Sequence, residues 1–379
     1  MKIVYLARFL PAEGSTVHLY ALAEGMVRRG HEVVVLSAGP GLDEAAIQLF
    51  RDSAKSGVQH RRVRFPLEPS FTRWGKVRQL GGYLLALPPA LIALHLSRPD
   101  VIHVHYPVTS FIAKLYGWLA KTPTVATHHV TGIPRHPLNR RAHMAIAISE
   151  ELRDELVTTY GYRPNAVRLI FNGVDEALFA PATKRERQEA RAALGVDDSV
   201  VAIAQVGRLT YVKGLDLLLD AVEPLLSDTV RLLMVGGSSA EAEDVLQRLS
   251  PNARRFVLHS PFTSDVRRIY AALDALVLAS RREGFPLVTI EAMMMGIPVI
   301  RTRTEGASVQ VEEERTGILV PVDDVPALRE ALGRFISMAP EERRMMGLAA
   351  AERASTLFSS DRMIEQTLEV YLELIDRGP

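Results

Sequence analysis

The chain has no cysteine in its 379 residues, which excludes disulfides and every thiolate metal site. An excess of either charge is missing too. The 45 Lys+Arg and 44 Asp+Glu leave a formal charge of +1, which argues against a general nucleic-acid binder. No apolar run reaches the ~20 residues that cross a bilayer, and the amino terminus reads as a strand, not as a charged-then-apolar leader. A soluble, cytoplasmic protein is therefore expected, one still able to touch the inner face of a membrane. The first turn lacks Gly-x-Gly-x-x-Gly and is no nicotinamide fingerprint. No Asp-x-Asp follows a strand, so no metal site is expected: Asp197-Asp198 and Asp323-Asp324 fall in loops.

What is present is strand and helix in alternation. Lys2 to Ala7 is an apolar run, 16 to 29 carries helical periodicity, Gly30 caps it, and Glu32 to Leu36 begins another strand. A second βαβ opening starts at Val200 to Val206. Between them, 180–199 is Pro-containing and then strongly charged, a composition shift that marks a boundary. The length also exceeds what one core usually covers. The expected class is α/β, with two doubly wound parallel-sheet domains.

The chemistry concentrates between Ser280 and Gly306. Ala275 to Ala279 reads as a buried strand, Gly284 and Pro286 as a turn, and Leu287 to Met295 as a helix stopped by Gly296 and Pro298. The loop carries Glu283 and the helix carries Glu291. Were the whole segment helical, the two carboxylates would stand roughly 12 Å apart, wider than a glycosidase acid/base pair. That spacing suits two acids gripping two hydroxylated rings, with an anion at the helix start, Gly284 to Val288, between them. Sugar, diphosphate and ribose fill that order. After Val206, Gly207-Arg208-Leu209 and Lys213-Gly214 place two cations between strand and helix, where a diphosphate needs countercharge. Gly236-Gly237 is a turn that can pass close to a nucleotide.

These motifs resemble those of the retaining GT-B glycosyltransferases of family 4. Glu-Gly-Phe-Pro with a second Glu after seven residues looks like the paired-glutamate motif, and Gly-Arg-Leu with Lys-Gly looks like the donor-diphosphate motif. Asn172-Gly173-Val174-Asp175 matches the close of the first domain. The resemblance implies two Rossmann-like domains facing across a cleft: 1–180 binds acceptor, 181–357 binds nucleotide sugar, and a helix over 358–379 returns to the first domain. It implies Glu283, His129, Arg208 and Lys213 at the chemistry. Donor contacts would come from Gly14, Gly207, Arg208, Lys213, Gly236, Pro261, Phe262, Glu283, Gly284, Phe285, Pro286, Leu287, Val288 and Glu291. Glu13 stands where the family has a second glycine, and Gln310 where it often has an acid.

In the first half, alternation points His103 and His105 to one side of their strand. His105 and Arg135 are the acceptor candidates. Of the neighbours His128 and His129, the latter fits the family's histidine near the transferred sugar, and adjacent histidines with no carboxylate or Cys nearby make a poor metal site. From His60 to Leu87, six basic residues interleave with Phe65, Phe71, Trp74, Leu80, Tyr83 and Leu84. Over 61–84 two readings stand: an anchor on anionic lipid, or a helix whose apolar face packs inside the domain.

The expected activity is transfer of a hexose from a UDP- or GDP-sugar to a hydroxyl of a sugar, lipid-linked or small-molecule acceptor, with retention and without metal or other cofactor. The alternatives are a sugar-nucleotide epimerase or hydrolase, and a non-catalytic nucleotide-sugar-binding subunit.

Overall fold

The computed structural model of the chain describes residues 1–65, 73–105, 109–133, 139–263 and 265–378, with backbone alone over 73–79. It divides into two compact units, Met1–Asn172 with Ser360–Pro379, and Gly173–Ser359.

The first unit runs β1 (Lys2–Leu6), α1 (Gly14–Arg28), β2 (Glu32–Ser37), α2 (Glu44–Lys55), β3 (Gln59–Arg62), α3 (Arg73–Ser97) and β4 (Val101–Val104). It continues with α4 (Ser110–Ala120), β5 (Thr124–His128), β6 (Met144–Ala147), α5 (Glu150–Thr158) and β7 (Val167–Leu169). Its seven strands lie in the order β3-β2-β1-β4-β5-β6-β7. All pairs are parallel, with Tyr5 between Val35 and His103. Parallel strands are buried on both faces and so read as continuous apolar runs, as β1, β2 and β4 do. The polar edge strand β3 carries no such run, and sequence periodicity did not reveal it. Gly30, at φ 80, ends the α1 region, and the Ser149 hydroxyl caps α5 by accepting from Leu152 N–H at 3.2 Å.

The second unit runs α6 (Lys184–Ala193), β8 (Val201–Val206), α7 (Leu215–Val222), β9 (Val230–Val235), α8 (Ser239–Leu246), α9 (Pro251–Arg254) and β10 (Val257–Ser260). Then come α10 (Val266–Ala271), β11 (Ala275–Leu278), α11 (Leu287–Met294), β12 (Val299–Thr302), α12 (Ala307–Gln310), β13 (Gly317–Val320), α13 (Val325–Ser337) and α14 (Pro340–Leu357). The order β10-β9-β8-β11-β12-β13 reverses direction between β8 and β11. That reversal is the switch point outside which α/β sheets take ligands. Met293, Met294 and Met295 are buried as core filler.

α15 (Ser360–Arg377) belongs to the first unit. Met363, Ile364, Val370, Tyr371 and Leu374 join the core formed by β1 and α1. Ile364 lies so close to Gly25 that a Cβ there would stand 2.2 Å from its Cδ1. The junction falls at Asn172-Gly173, ahead of the compositional shift at 180, because Val174 N–H donates to Phe358 C=O and pairs with Ser359 inside the second unit.

Within the 61–84 stretch Leu80 and Leu84 are exposed while two of the rings turn inward. Phe65 and Tyr83 are 5% and 1% exposed and belong to the core between α3 and the sheet. Phe71 lies outside the described residues, as does the side chain of Trp74. Among the described residues one helical segment, Leu80–Ser97, is long and apolar enough to cross a bilayer by length and composition, although its sequence run falls short of ~20 residues.

Candidate active site

In the second unit the expected donor residues gather at the carboxyl ends of the strands. Gly207 N–H donates to Val235 C=O at 2.9 Å. A Cβ on Gly236, at φ 121, would stand 2.2 Å from the Gly207 oxygen, so the loops after β8 and β9 are pressed together there. Arg208 follows at the surface of the β8 loop. Pro261 and Phe262 lie after β10, and the Phe262 ring is 58% exposed.

Lys213 ends a short 3-10 turn, Tyr211–Lys213. Gly214 follows at φ +64, where an added Cβ would lie 1.8 Å from the Ala279 oxygen. No other residue type allows that approach, and it carries Lys213 across to the β11 loop. Lys213 Nζ bonds Glu283 Oε1 at 2.7 Å, and the Ser280 hydroxyl donates to the same oxygen at 2.6 Å. Glu283 is only 9% exposed, so this ion pair is screened less than a surface pair. Arg281 ties the two loops from behind. It donates to both Asp216 oxygens at 2.7 Å and to Tyr211 C=O at 2.7 Å, and its guanidinium lies 3.7 Å from the Tyr211 ring centre. Its bonds hold the Asp216 carboxyl below the ordinary carboxylate range.

Phe285 is buried against Phe358, and a Cβ on Gly306 would lie 2.5 Å from its ring. Pro286 opens α11 without a capping side chain, so the first N–H groups at Leu287 and Val288 lack intrahelical partners. Gln310, which stands where the resembled family often has an acid, is fully buried. It donates to Pro286 C=O at 3.1 Å and accepts from the buried Arg301, so it braces the turn below α11.

Glu291 points elsewhere: the Tyr270 hydroxyl donates to its Oε2 at 2.8 Å. Burial pushes its carboxyl up to about 7, and the Tyr270 bond opposes that only in part. The side chain keeps some access to solvent while its carboxyl is enclosed by protein. The two glutamates thus have separate partners among the described residues. Asp323 and Asp324 are spoken for as well, the first by Arg281 at 2.6 Å and the second as the cap of α13.

In the first unit a histidine cluster forms at the ends of β4 and β5. The His103 and His105 rings lie 4.5 Å apart, on one side of the strand as alternation requires. His103 bonds Tyr371 OH at 2.5 Å and Thr127 Oγ1 at 2.7 Å. His105 Nδ1 meets His129 Nε2 at 3.3 Å, and the His18 ring stands 4.9 Å from that of His129. His128 turns away toward Tyr160 and Tyr162, so of the two neighbours it is His129 that joins the cluster. Burial lowers all these rings, His18 and His128 to about 4 and His103, His105 and His129 well below the ordinary value. Asn172 opposes the shift of His18 without an aligned bond to either ring nitrogen. His18, His105 and His129 each bring a nitrogen within 4.8 Å of the others, a donor set that a zinc-type ion could use. Gly14 is the exposed first residue of α1. Arg135 lies outside the described residues.

Sequence reasoning did not single out His18, Tyr270, Arg281 or Asp216. His18 had one legible signal, a lone imidazole among the apolar positions of α1. The others gain meaning only from partners distant in the chain.

Two parallel α/β domains, the second with a cation and a carboxylate paired beside its switch point, place the chain in the class of doubly wound α/β proteins. Residues 201–338 match the family described as Glycosyl transferases group 1, and residues 12–178 match Glycosyltransferase Family 4. The D-inositol 3-phosphate glycosyltransferase of Corynebacterium diphtheriae is 30% identical over 376 residues, covering 91% of this chain and 86% of that protein. Its counterpart in Saccharomonospora viridis is 29% identical, with 96% and 89% covered. The chain belongs to the family 4 glycosyltransferases and has the GT-B architecture. Among solved structures, Anabaena HepE in complex with UDP-glucose superposes with a TM-score of 0.81 at 22% identity, covering 99% and 100% of the two chains. Sucrose-phosphate synthase from Thermosynechococcus elongatus gives 0.79 at 22%, covering 100% of each.

Proposed function

We propose that this glycosyltransferase moves a hexose from UDP-hexose to a hydroxyl of a sugar, lipid-linked or small-molecule acceptor, with retention at the anomeric carbon and without a metal ion. The observation that carries this reading is the Lys213–Glu283 pair at 2.7 Å, held at the switch point with Arg208 on the same loop. An ammonium has three donors, so Lys213 can keep Glu283 and also meet a phosphate oxygen. Both bonds on Glu283 converge on Oε1, leaving Oε2 for hexose hydroxyls. Glu291, beside Tyr270, takes the ribose hydroxyls. UDP is favoured as carrier because HepE has been solved with UDP and with UDP-glucose.

In this scheme the bond from the anomeric carbon to the β-phosphate oxygen breaks while the acceptor oxygen bonds to the same face. The acceptor proton passes to the departing phosphate. Arg208, Lys213 and the uncapped start of α11 stabilise the charge that develops there, a term that often dominates such catalysis. In the first unit His129, grouped with His105 and His18, is the histidine we assign to the transferred sugar. The test is incubation with a panel of nucleotide sugars, reading donor hydrolysis and product anomer by NMR. UDP-hexose should be consumed fastest and give a product of unchanged anomeric configuration. Inversion, or no preference among nucleotides, would overturn the scheme.

A further inference from the structure

α3 and α4 have an apolar face that nothing among the described residues of the domain covers. On α3, Tyr83, Ala86, Ala90 and Leu94 pack into the core over the sheet. The opposite stripe carries Leu84, Leu85, Ile92 and Leu96 at 56%, 80%, 59% and 65% exposure. The spacing of these positions puts them on one side of a 3.6-residue helix. A helix apolar on all sides is normally enclosed; this one is half in water. α4 packs in the same core through Ile112, Ala113 and Tyr116. Both helices return against the strands, so their last turns end at the same side of the sheet, where Trp118 and Leu119 are 75% and 60% exposed.

Charge identifies the occupant. Between Glu68 and Glu150 the sequence has one acidic residue, Asp100, against nine Lys and Arg, in a chain whose total is only +1. Lys114, Lys121 and Arg98 of this segment are exposed on or beside the two helices. A second copy meeting the first through this face would set basic surface against basic surface. An anionic bilayer supplies both the acyl interior for the leucines and the countercharge for the lysines, and Trp suits the headgroup level. Pro88 and Pro89 have no N–H, so the carbonyls of Leu84 and Leu85 lack their i+4 donors. Those oxygens need water or headgroups, which places the helix along the interface and not deep in hydrocarbon.

We propose that the outer face of α3 and α4, centred on Leu85, Ile92, Leu96 and Trp118, docks this enzyme on anionic lipid. The inference goes beyond the transfer reaction and does not depend on it. It is tested on the full chain, without nucleotide, by co-sedimentation with vesicles of mixed phosphatidylglycerol and phosphatidylcholine against phosphatidylcholine alone. Partition should be at least tenfold stronger on the anionic vesicles and weaken with salt. Lys114→Gln and Lys121→Gln should each lower it about fivefold, from ~1 kcal/mol per basic residue at the surface. Leu85→Glu with Ile92→Glu should lower it more than tenfold while the melting temperature holds, since both side chains are exposed. Trp emission should shift to the blue with vesicles and cease to shift in Trp118→Phe, although Trp74 remains. Equal binding to both vesicle types, or unchanged binding by the folded double variant, would overturn the proposal. A lipid-free dimer that the double variant dissolves would give the face to a second copy instead.

Discussion

Replacing Glu291 by Gln keeps the shape of the side chain and the oxygen that accepts from Tyr270, and removes the ionisation. The native carboxyl sits at about 7 against an ordinary 4.5 because burial disfavours its charge. A carboxyl raised by folding binds more protons in the native state than in the unfolded chain. Stability therefore falls as pH climbs from 4.5, and the full penalty is reached above 7. At pH 8 it amounts to about 3 kcal/mol from ~1.36 kcal/mol per unit, trimmed toward 2 by the partial solvent access. About 1 kcal/mol of it develops between pH 6 and pH 8. Glu291→Gln removes that term, so its melting temperature relative to the native chain should improve by roughly 2–4 °C across the interval. UDP affinity tests the proposed ribose contact. If only the carboxylate accepts the ribose hydroxyls, native affinity rises with the ionised fraction, about tenfold from pH 6 to pH 8. In the Gln variant calorimetry should give a weak and flat response. Parallel melting curves for the two proteins at both pH values would refute the assignment of the raised carboxyl. A native UDP affinity indifferent to pH would refute its contact with ribose.

Other perturbations separate the remaining roles. Glu283→Ala should cut turnover while leaving UDP affinity nearly unchanged, whereas Lys213→Ala should weaken UDP about 10- to 100-fold, the range for one charge-assisted bond; equal UDP affinity in both variants would contradict the roles. His18 and His128, held near 4 against an ordinary 6.5, stabilise the fold above 6.5 and should each lose about 1.5 kcal/mol between pH 6.5 and pH 5. Glutamine at His128 should flatten that acid limb of the melting curve, and an unchanged limb would exclude it as a source. Turnover should survive EDTA; loss restored by Zn²⁺ would instead bring His18, His105 and His129 into the machinery as ligands.

Much of the architecture was readable because parallel strands buried on both faces leave apolar runs, and helices between them leave Gly and Pro at their ends. β3 escaped because Gln59-His60-Arg61-Arg62, at a sheet edge, is polar throughout and carries neither signal. The loops after β8 and β11 were legible as motifs, since Arg208, Lys213, Glu283 and Glu291 are set by short-range spacing. What holds them was not. Arg281 reaches Asp216 and Asp323, Tyr270 reaches Glu291, and Gln310 reaches Pro286, pairings that exist only once the sheet has aligned its loops. Over 61–84 composition left two readings standing for the same reason. Composition shows that Phe65 and Tyr83 are near basic residues, but not that their rings turn inward.

The order of synthesis gives α15 a consequence of its own. Residues 1–172 leave the ribosome without the helix that supplies Tyr371 to His103 and Ile364 to Gly25, and all of the second unit must be translated before that helix emerges. The nascent amino-terminal half therefore waits with one wall of its core missing, its greasy β1–α1 surface in need of protection until α15 arrives.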